Sequence, residues 1–210
     1  QMCIRDRALR MPRGPMAEIV DRLGRPLAAP SANRSGKVSP TSAAHVARSL
    51  GNRVDLILDA GPAKVGLEST ILKPEGGTLY LLRPGGLTVE AVSEAIGLPV
   101  VSGQGTSIEA PGQMQSHYAP EGSVRLNATH VEPGEHLIAF GSARMAGVAE
   151  AASVFDLSPT GDLAEAAGNL FAALTALDRA DITRIAVAPI PERGLGIAIN
   201  DRLRRAAAPR

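Results

Sequence analysis

Aromatic residues are almost absent from this chain: two tyrosines, three phenylalanines and no tryptophan among 210 residues. Readers of single-stranded nucleic acid stack bases on aromatic platforms, so that mode of binding is disfavoured. Cysteine is nearly missing too, and the single Cys3 excludes a disulfide framework and a cysteine-based zinc site. No apolar run reaches membrane-spanning length and no secretory signal stands out, so a cytoplasmic location is expected, with no membrane partner. Neither sign of charge dominates. The 22 Lys and Arg face 21 Asp and Glu, a net of +1, which gives no global attraction for nucleic acid. What remains is 44% hydrophobic residues in a chain long enough for one large domain or two small ones.

The opening "QMCIRDR", residues 1–7, resembles translated adapter sequence, lacks a Met start and shares no pattern with the rest of the chain. It is set aside from fold reasoning, and on this reading the chain is a fragment of a longer protein. Beyond it, "PMAEIVDRLG" has helical apolar spacing, "PLAAPSAN" and "VDLILDAG" read as strands, and "SPTSAAHVARSLG" reads as a capped helix. His45 lies on that helix without a second ligand at metal-binding spacing. "STILKPEGGTLYLLRPGG" predicts two strands joined at Gly76-Gly77, and "TVEAVSEAIG" a helix between Thr88 and Gly97. Residues 8–101 thus describe part of a mixed α/β sheet domain.

Residues 102–122, "SGQGTSIEAPGQMQSHYAPEG", have no apolar period and are too long for an ordinary connection, which marks a linker or functional loop. From 123 to 210 the rhythm is strand–helix: "HLIAFGS", "SVFDLSP" and "RIAVAPIP" alternate with "DLAEAAGNLFAALTALDRA" and "GLGIAINDRLRRAA". That predicts a small parallel, Rossmann-like α/β domain, although "GSARMAG" is only a loose match to a dinucleotide fingerprint.

Four polar stretches carry the candidate chemistry. "SANRSGKVSPT" opens a helix with small hydroxyls and little acid, and helix-start N–H groups welcome phosphate or carboxylate. "GLEST" (66–70) puts donors and one carboxylate at a strand mouth. "LLRPGG" (81–86) fixes Arg83 before a Pro-Gly turn, as bidentate phosphate recognition needs. "APGQMQSHYAP" (110–120) stiffens the linker with proline around His117 and Tyr118, as a cover over a pocket requires. Each alone is compatible with an ordinary capped turn or surface loop. No Walker A, GxSxG or HExxH motif occurs, so neither a P-loop, a serine triad nor a zinc protease site is expected, and no metal ligand is assigned.

In this order and spacing, "PSANRSGKVSPT", "GLESTIL", "LLRPGG" and "APGQMQSHYAP" closely resemble the L-threonylcarbamoyladenylate synthases, the YrdC-domain family. The linker and the tail ending in "GLGIAINDRLRRAA" resemble its longer, two-domain form. The resemblance implies condensation of L-threonine, bicarbonate and ATP into threonylcarbamoyl-AMP with release of pyrophosphate. A separate tRNA threonylcarbamoyl-transferase complex would then modify adenosine 37 of tRNAs reading ANN codons. It further implies that Ser31, Asn33, Ser39 and Arg83 contact ATP, that Tyr118 closes over the nucleotide, and that Ala29 and Ser69 hold threonine. No residue is assigned a covalent or acid–base role, and Mg²⁺ is expected through the ATP phosphates. The alternative is a non-catalytic module binding double-stranded RNA or tRNA, for which only weak RNA affinity is expected at this net charge. A carbamoyl-transfer enzyme of hydrogenase maturation is disfavoured, because the chain lacks the length and cysteines of that family.

The family's early Lys-x-Arg pair and threonine-binding Arg have no counterpart upstream of "PSAN". These 210 residues alone are therefore expected to release no pyrophosphate from ATP in the presence of threonine and bicarbonate. A pyrophosphate-release assay checks this, and sustained turnover refutes it.

Overall fold

The computed structural model describes residues 9, 12, 14–102, 117–141 and 145–209. The adapter-like residues 1–7 and residues 103–116 of the expected linker lie outside the described residues. Helix α1 (Pro15–Leu23) starts with proline at its first turn and stops at Gly24, whose φ of 62° lets its N–H reach back to the Val20 carbonyl. Helix α2 (Ala43–Leu50) is capped by Ser42, whose hydroxyl accepts from the His45 amide. Strands β1 (Ile71–Glu75) and β2 (Thr78–Arg83) form the expected antiparallel hairpin about Gly76-Gly77. Helix α3 (Val89–Ile96) begins with the Thr88 hydroxyl accepting from the Ala91 amide, then leads to β3 (Val100–Ser102), which lies parallel to β2. The result is a mixed sheet of order β1-β2-β3.

The second sheet is entirely parallel. Strands β4 (Ser123–Arg125), β5 (His136–Ala139), β6 (Ser153–Asp156) and β7 (Arg184–Val187) are arranged in the order β4-β7-β5-β6. Helix α4 (Leu163–Leu177) starts at Asp162, which accepts from the Ala164 and Glu165 amides at 2.7 and 2.8 Å, and α5 (Leu195–Ala207) closes the chain. Alternation along the strands sorts the core into two layers. Ile138, Ile185 and Val187 join the buried residues of α4 and α5 in the larger cluster. Leu137, Ala139 and Ala186 form the smaller one with Ala128 and Val131 from the loop after β4. The two α-helices of this unit therefore pack on one face of the sheet, and loops with a short 3-10 turn at Val148–Glu150 cover the other.

Three expectations fail locally. Residues 26–33 and 54–60, read from their apolar pattern as strands, form none, and Leu56 and Leu58 remain 75% and 57% exposed. A strand exists only by pairing its N–H and C=O groups, and neither segment meets a partner strand among the described residues. Pro26 and Pro30 also remove two donors from the first of them. Conversely β4 has no signature in the sequence: with one apolar residue, Val124, it has no pattern to read, and its register with β7 comes from the neighbouring strand.

Burial predicts where stability resides. Leu174→Ala, at a fully buried position of α4, should lower unfolding stability by roughly 2–5 kcal/mol through lost contacts and a residual cavity. Leu56→Ala, at a largely exposed position, should change it by less than about 0.5 kcal/mol. Urea unfolding of the two variants checks both.

Candidate functional site

The four polar motifs meet the C-terminal helix at one carboxylate. Glu68, in the loop before β1, accepts a hydrogen bond at Oε1 from the Ser39 hydroxyl (2.7 Å) and at Oε2 from Arg202 Nε (2.8 Å). The buried Tyr118 ring lies beside this pair, and the charge of Glu68 helps to raise the pKa of its hydroxyl. Arg202 comes from α5, 134 positions away in sequence, and its side chain is wholly buried. It also donates through Nη1 to Asp201 (2.6 Å) and through Nη2 to the Pro84 carbonyl (2.9 Å), and its guanidinium lies 5.6 Å from the centre of the Tyr118 ring. Arg205 bonds Asp201 from the other side.

Arg83, at the end of β2, is turned toward the neighbouring motif. Its Nε and Nη2 donate to the Ser69 carbonyl at 3.2 and 2.8 Å, and Nη2 lies 3.4 Å from the Ser69 hydroxyl. This pairing requires the backbones of "RPGG" and "GLEST" to approach closely. The Gly86 amide bonds the Glu68 carbonyl at 2.9 Å, and a Cβ on Gly85 would collide with that carbonyl and with Ser69. Gly66 serves the same end on the other side. It sits at φ +71° with its α-carbon against the α4 backbone at Ala167 and Gly168, where no side chain fits.

Each motif is anchored in the C-terminal unit. Val38 and Tyr118 belong to the same buried cluster as α4 and α5, and the Tyr118 ring packs 5.3 Å from Phe171. Lys37 reaches Asp178 at 3.3 Å, and the His117 amide bonds the Arg205 carbonyl. An open cleft of about 280 Å³ runs along this seam, lined by Arg34, Lys37, His45, Arg48 and Asp178 among others. Val38 and Pro40 line it, whereas Ser39 between them turns to Glu68. Asp178 already engages Lys37, and Arg34 donates to the Ser49 carbonyl, so the cleft is a packed seam between units and carries less free cationic surface than its residue names suggest.

Of the residues expected at a site, Ser39, Ser69, Arg83 and Tyr118 come together around Glu68. Ala29 and Ser31 lie exposed at the loop's start. Asn33 folds back to close the loop: its amide donates to the Arg34 and Lys37 carbonyls, and its Oδ1 is buried without a protein partner. Sequence reasoning takes Glu68 only as a strand-end carboxylate and misses Arg202. A signal for Arg202 exists all the same, since it occupies the buried stripe of α5 between Ala198, Ile199, Leu203 and Ala206. An arginine in an apolar stripe must find acceptors inside.

Electrostatics fix the protonation states. Burial works to raise the Glu68 pKa, but the charge and hydrogen bond of Arg202, with the Ser39 hydroxyl, hold it below the ordinary glutamate value. Burial, reinforced by Glu68, pushes the Tyr118 hydroxyl up to about 12. Burial also lowers His117, with Arg205, Arg202 and Arg83 adding to the effect, and its buried Nδ1 has no protein partner.

Two α/β units thus meet at a seam of paired arginines, carboxylates and hydroxyls. The comparisons identify the family. A family profile for the threonylcarbamoyl-AMP synthase C-terminal domain matches residues 87–208, and a Sua5/YciO/YrdC profile described as telomere recombination matches residues 5–85. The chain belongs to the threonylcarbamoyl-AMP synthase family. It is 38% identical to the threonylcarbamoyl-AMP synthase of Pyrococcus abyssi over 95% of this chain and 63% of that protein. It is 36% identical to that of Bacillus subtilis over 97% and 63%. A crystal structure of Pyrococcus abyssi Sua5 complexed with L-threonine superposes with a TM-score of 0.73 at 31% identity, covering 91% of this chain and 60% of that one. A His/Tyr double-alanine variant of the same protein gives 0.76 at 32% identity. The chain thus spans about 63% of the length of these two curated relatives.

Because Glu68 has a folded-state pKa below its unfolded value of 4.5, its stabilising contribution is full above that value and is lost as pH falls through the depressed one. The urea midpoint of the wild-type chain should therefore drop as pH falls below about 4.5. Glu68→Gln, less stable at neutral pH, should show a shallower fall over the same range. Urea titrations at a series of pH values test this, and equal slopes would contradict it.

Proposed function

We propose that this chain is part of an enzyme that makes L-threonylcarbamoyl-AMP from L-threonine, bicarbonate and ATP, releasing pyrophosphate. The product would pass to a tRNA-modifying transferase complex, which sets the reaction in the cytoplasm. The domain division we propose is residues 8–101, a linker at 102–122, and 123–210. The single observation that carries the reading is the meeting of the motifs beside Arg202. Ser39 bonds the Glu68 carboxylate, Arg83 bonds the adjacent Ser69, the Tyr118 ring lies 5.6 Å from the Arg202 guanidinium, and Arg202 and Arg205 face Glu68 and Asp201.

The chemistry asks little of the protein beyond placement. Threonine's amine takes up CO₂ or bicarbonate to give a carbamate. A carbamate oxygen then attacks the α-phosphorus of ATP and pyrophosphate leaves. Holding two anions together and offsetting charge at phosphorus supplies the rate. Ser39 and Arg83 are assigned to the ATP phosphates, Tyr118 to closure over the nucleotide and Ser69 to threonine. Ser31 and Asn33 are assigned to ATP and Ala29 to threonine, from the start of the same loop. Mg²⁺ enters as the counter-ion of the triphosphate, and no protein ligand is assigned to it.

Isothermal titration with ATP and Mg²⁺ tests the site directly. The wild-type chain should bind. Arg83→Met, which removes charge-assisted hydrogen bonds, should weaken binding by about 10-fold or more. Tight, salt-dependent binding of tRNA with no response to ATP would instead establish the RNA-binding module.

A further inference from the structure

We propose that Arg202 is a positioning residue for the nucleotide: by neutralising Glu68 it lets a triphosphate approach Ser39, so that the C-terminal unit sets the charge of a site formed largely by loops of the first. The inference rests on the nucleotide-binding reading above. Glu68 takes the Ser39 hydroxyl at 2.7 Å. A phosphate oxygen that takes this hydroxyl's single proton must displace Glu68 from it. It then lies a few ångströms from the carboxylate, which repels it unless the carboxylate is paired.

The neighbouring cations are not interchangeable for this task. Arg83 directs Nε and Nη2 at the Ser69 carbonyl, and Arg205 directs its hydrogen bonds at Asp201. His117 is kept uncharged near neutrality by burial and by the surrounding arginines. Among the described residues, Arg202 is the cation whose hydrogen bond reaches a Glu68 oxygen, at 2.8 Å. With its side chain wholly buried, it acts on a ligand through Glu68 and not by contact. The Tyr118 ring lies beside the same guanidinium, 5.6 Å from its centre. Arg202 thus gives the C-terminal helix a part in binding although it touches no substrate.

Binding of ATP with Mg²⁺ to the chain by isothermal titration decides the matter. Arg202→Met should weaken binding at least tenfold, and Glu68→Gln combined with Arg202→Met should restore it to within about threefold of Glu68→Gln alone. Arg202→Lys, which keeps the charge, should stay within about threefold of wild type and carries the comparison if the methionine variant does not fold. A double variant as weak as Arg202→Met, or a lysine variant that loses tenfold, overturns the proposal, because a packing role alone gives no rescue by removing a charge elsewhere. If wild type does not bind ATP, the functional reading fails by itself. ¹³C-carboxyl NMR titration of Glu68 then separates the two. A Glu68 pKa that rises above the ordinary glutamate value in Arg202→Met upholds the neutralisation, and one that stays depressed refutes it.

Discussion

The structure turns on a guanidinium with no access to water. Arginine cannot discard its proton to suit an apolar setting, so burying Arg202 obliges the protein to surround it with acceptors. Glu68, Asp201, the Pro84 carbonyl and the Tyr118 ring are what surrounds it, and they come from four separate stretches of chain. Such a pair adds little net stability over a well-packed apolar one. Its force is directional, since leaving either member unpaired in the interior costs several times what making the pair gains. Arrangements of the two units that withdraw α5 from the "GLEST" loop are disfavoured for this reason, and the hydroxyl loop inherits its position from the C-terminal helix.

Close approach is the second condition. The segment at residues 66–69 runs within backbone contact of residues 83–86 on one side and of α4 on the other. Such contact is open to glycine and closed to a residue with a Cβ. Gly66 and Gly85 therefore bring the carboxylate and the arginines within bonding range without themselves carrying any chemistry. The hydroxyl of Thr70, bonded to both the amide and the carbonyl of Leu87, ties the same two motifs together beyond the glycines.

How far the sequence anticipates this depends on the range of the interaction. The β1–β2 hairpin, α3, α4, α5 and strands β5, β6 and β7 are legible because each carries its own apolar pattern, and α3 and α4 add their caps, Thr88 and Asp162. The apolar runs at 26–33 and 54–60 carry strand composition, but composition does not supply a pairing partner, and their side chains remain largely outside the core. At the site, Ser39, Arg83 and Tyr118 stand out as members of compact motifs. The group that joins them does not, because Glu68 and Arg202 are separated by 134 positions and nothing local links them. What is readable is the anomaly of an arginine on the buried face of α5, a conflict that only a distant acceptor resolves.

The pairing also bears on the chemistry proposed for the site. Acid–base catalysis needs a group whose pKa lies near the working pH. Around Glu68 the buried groups are moved the other way: the carboxylate is held low by Arg202, the Tyr118 hydroxyl is pushed up to about 12, and His117 is lowered into its neutral form. None of the three is left to change charge in the region just above neutrality, where a free amine must be available to act as nucleophile. A site whose charges are fixed in advance does not need to reorganise as negative charge shifts during reaction, and that constancy is the source of electrostatic stabilisation. The same network that holds the two units together therefore favours joining two anionic reactants by position and field over moving protons between them.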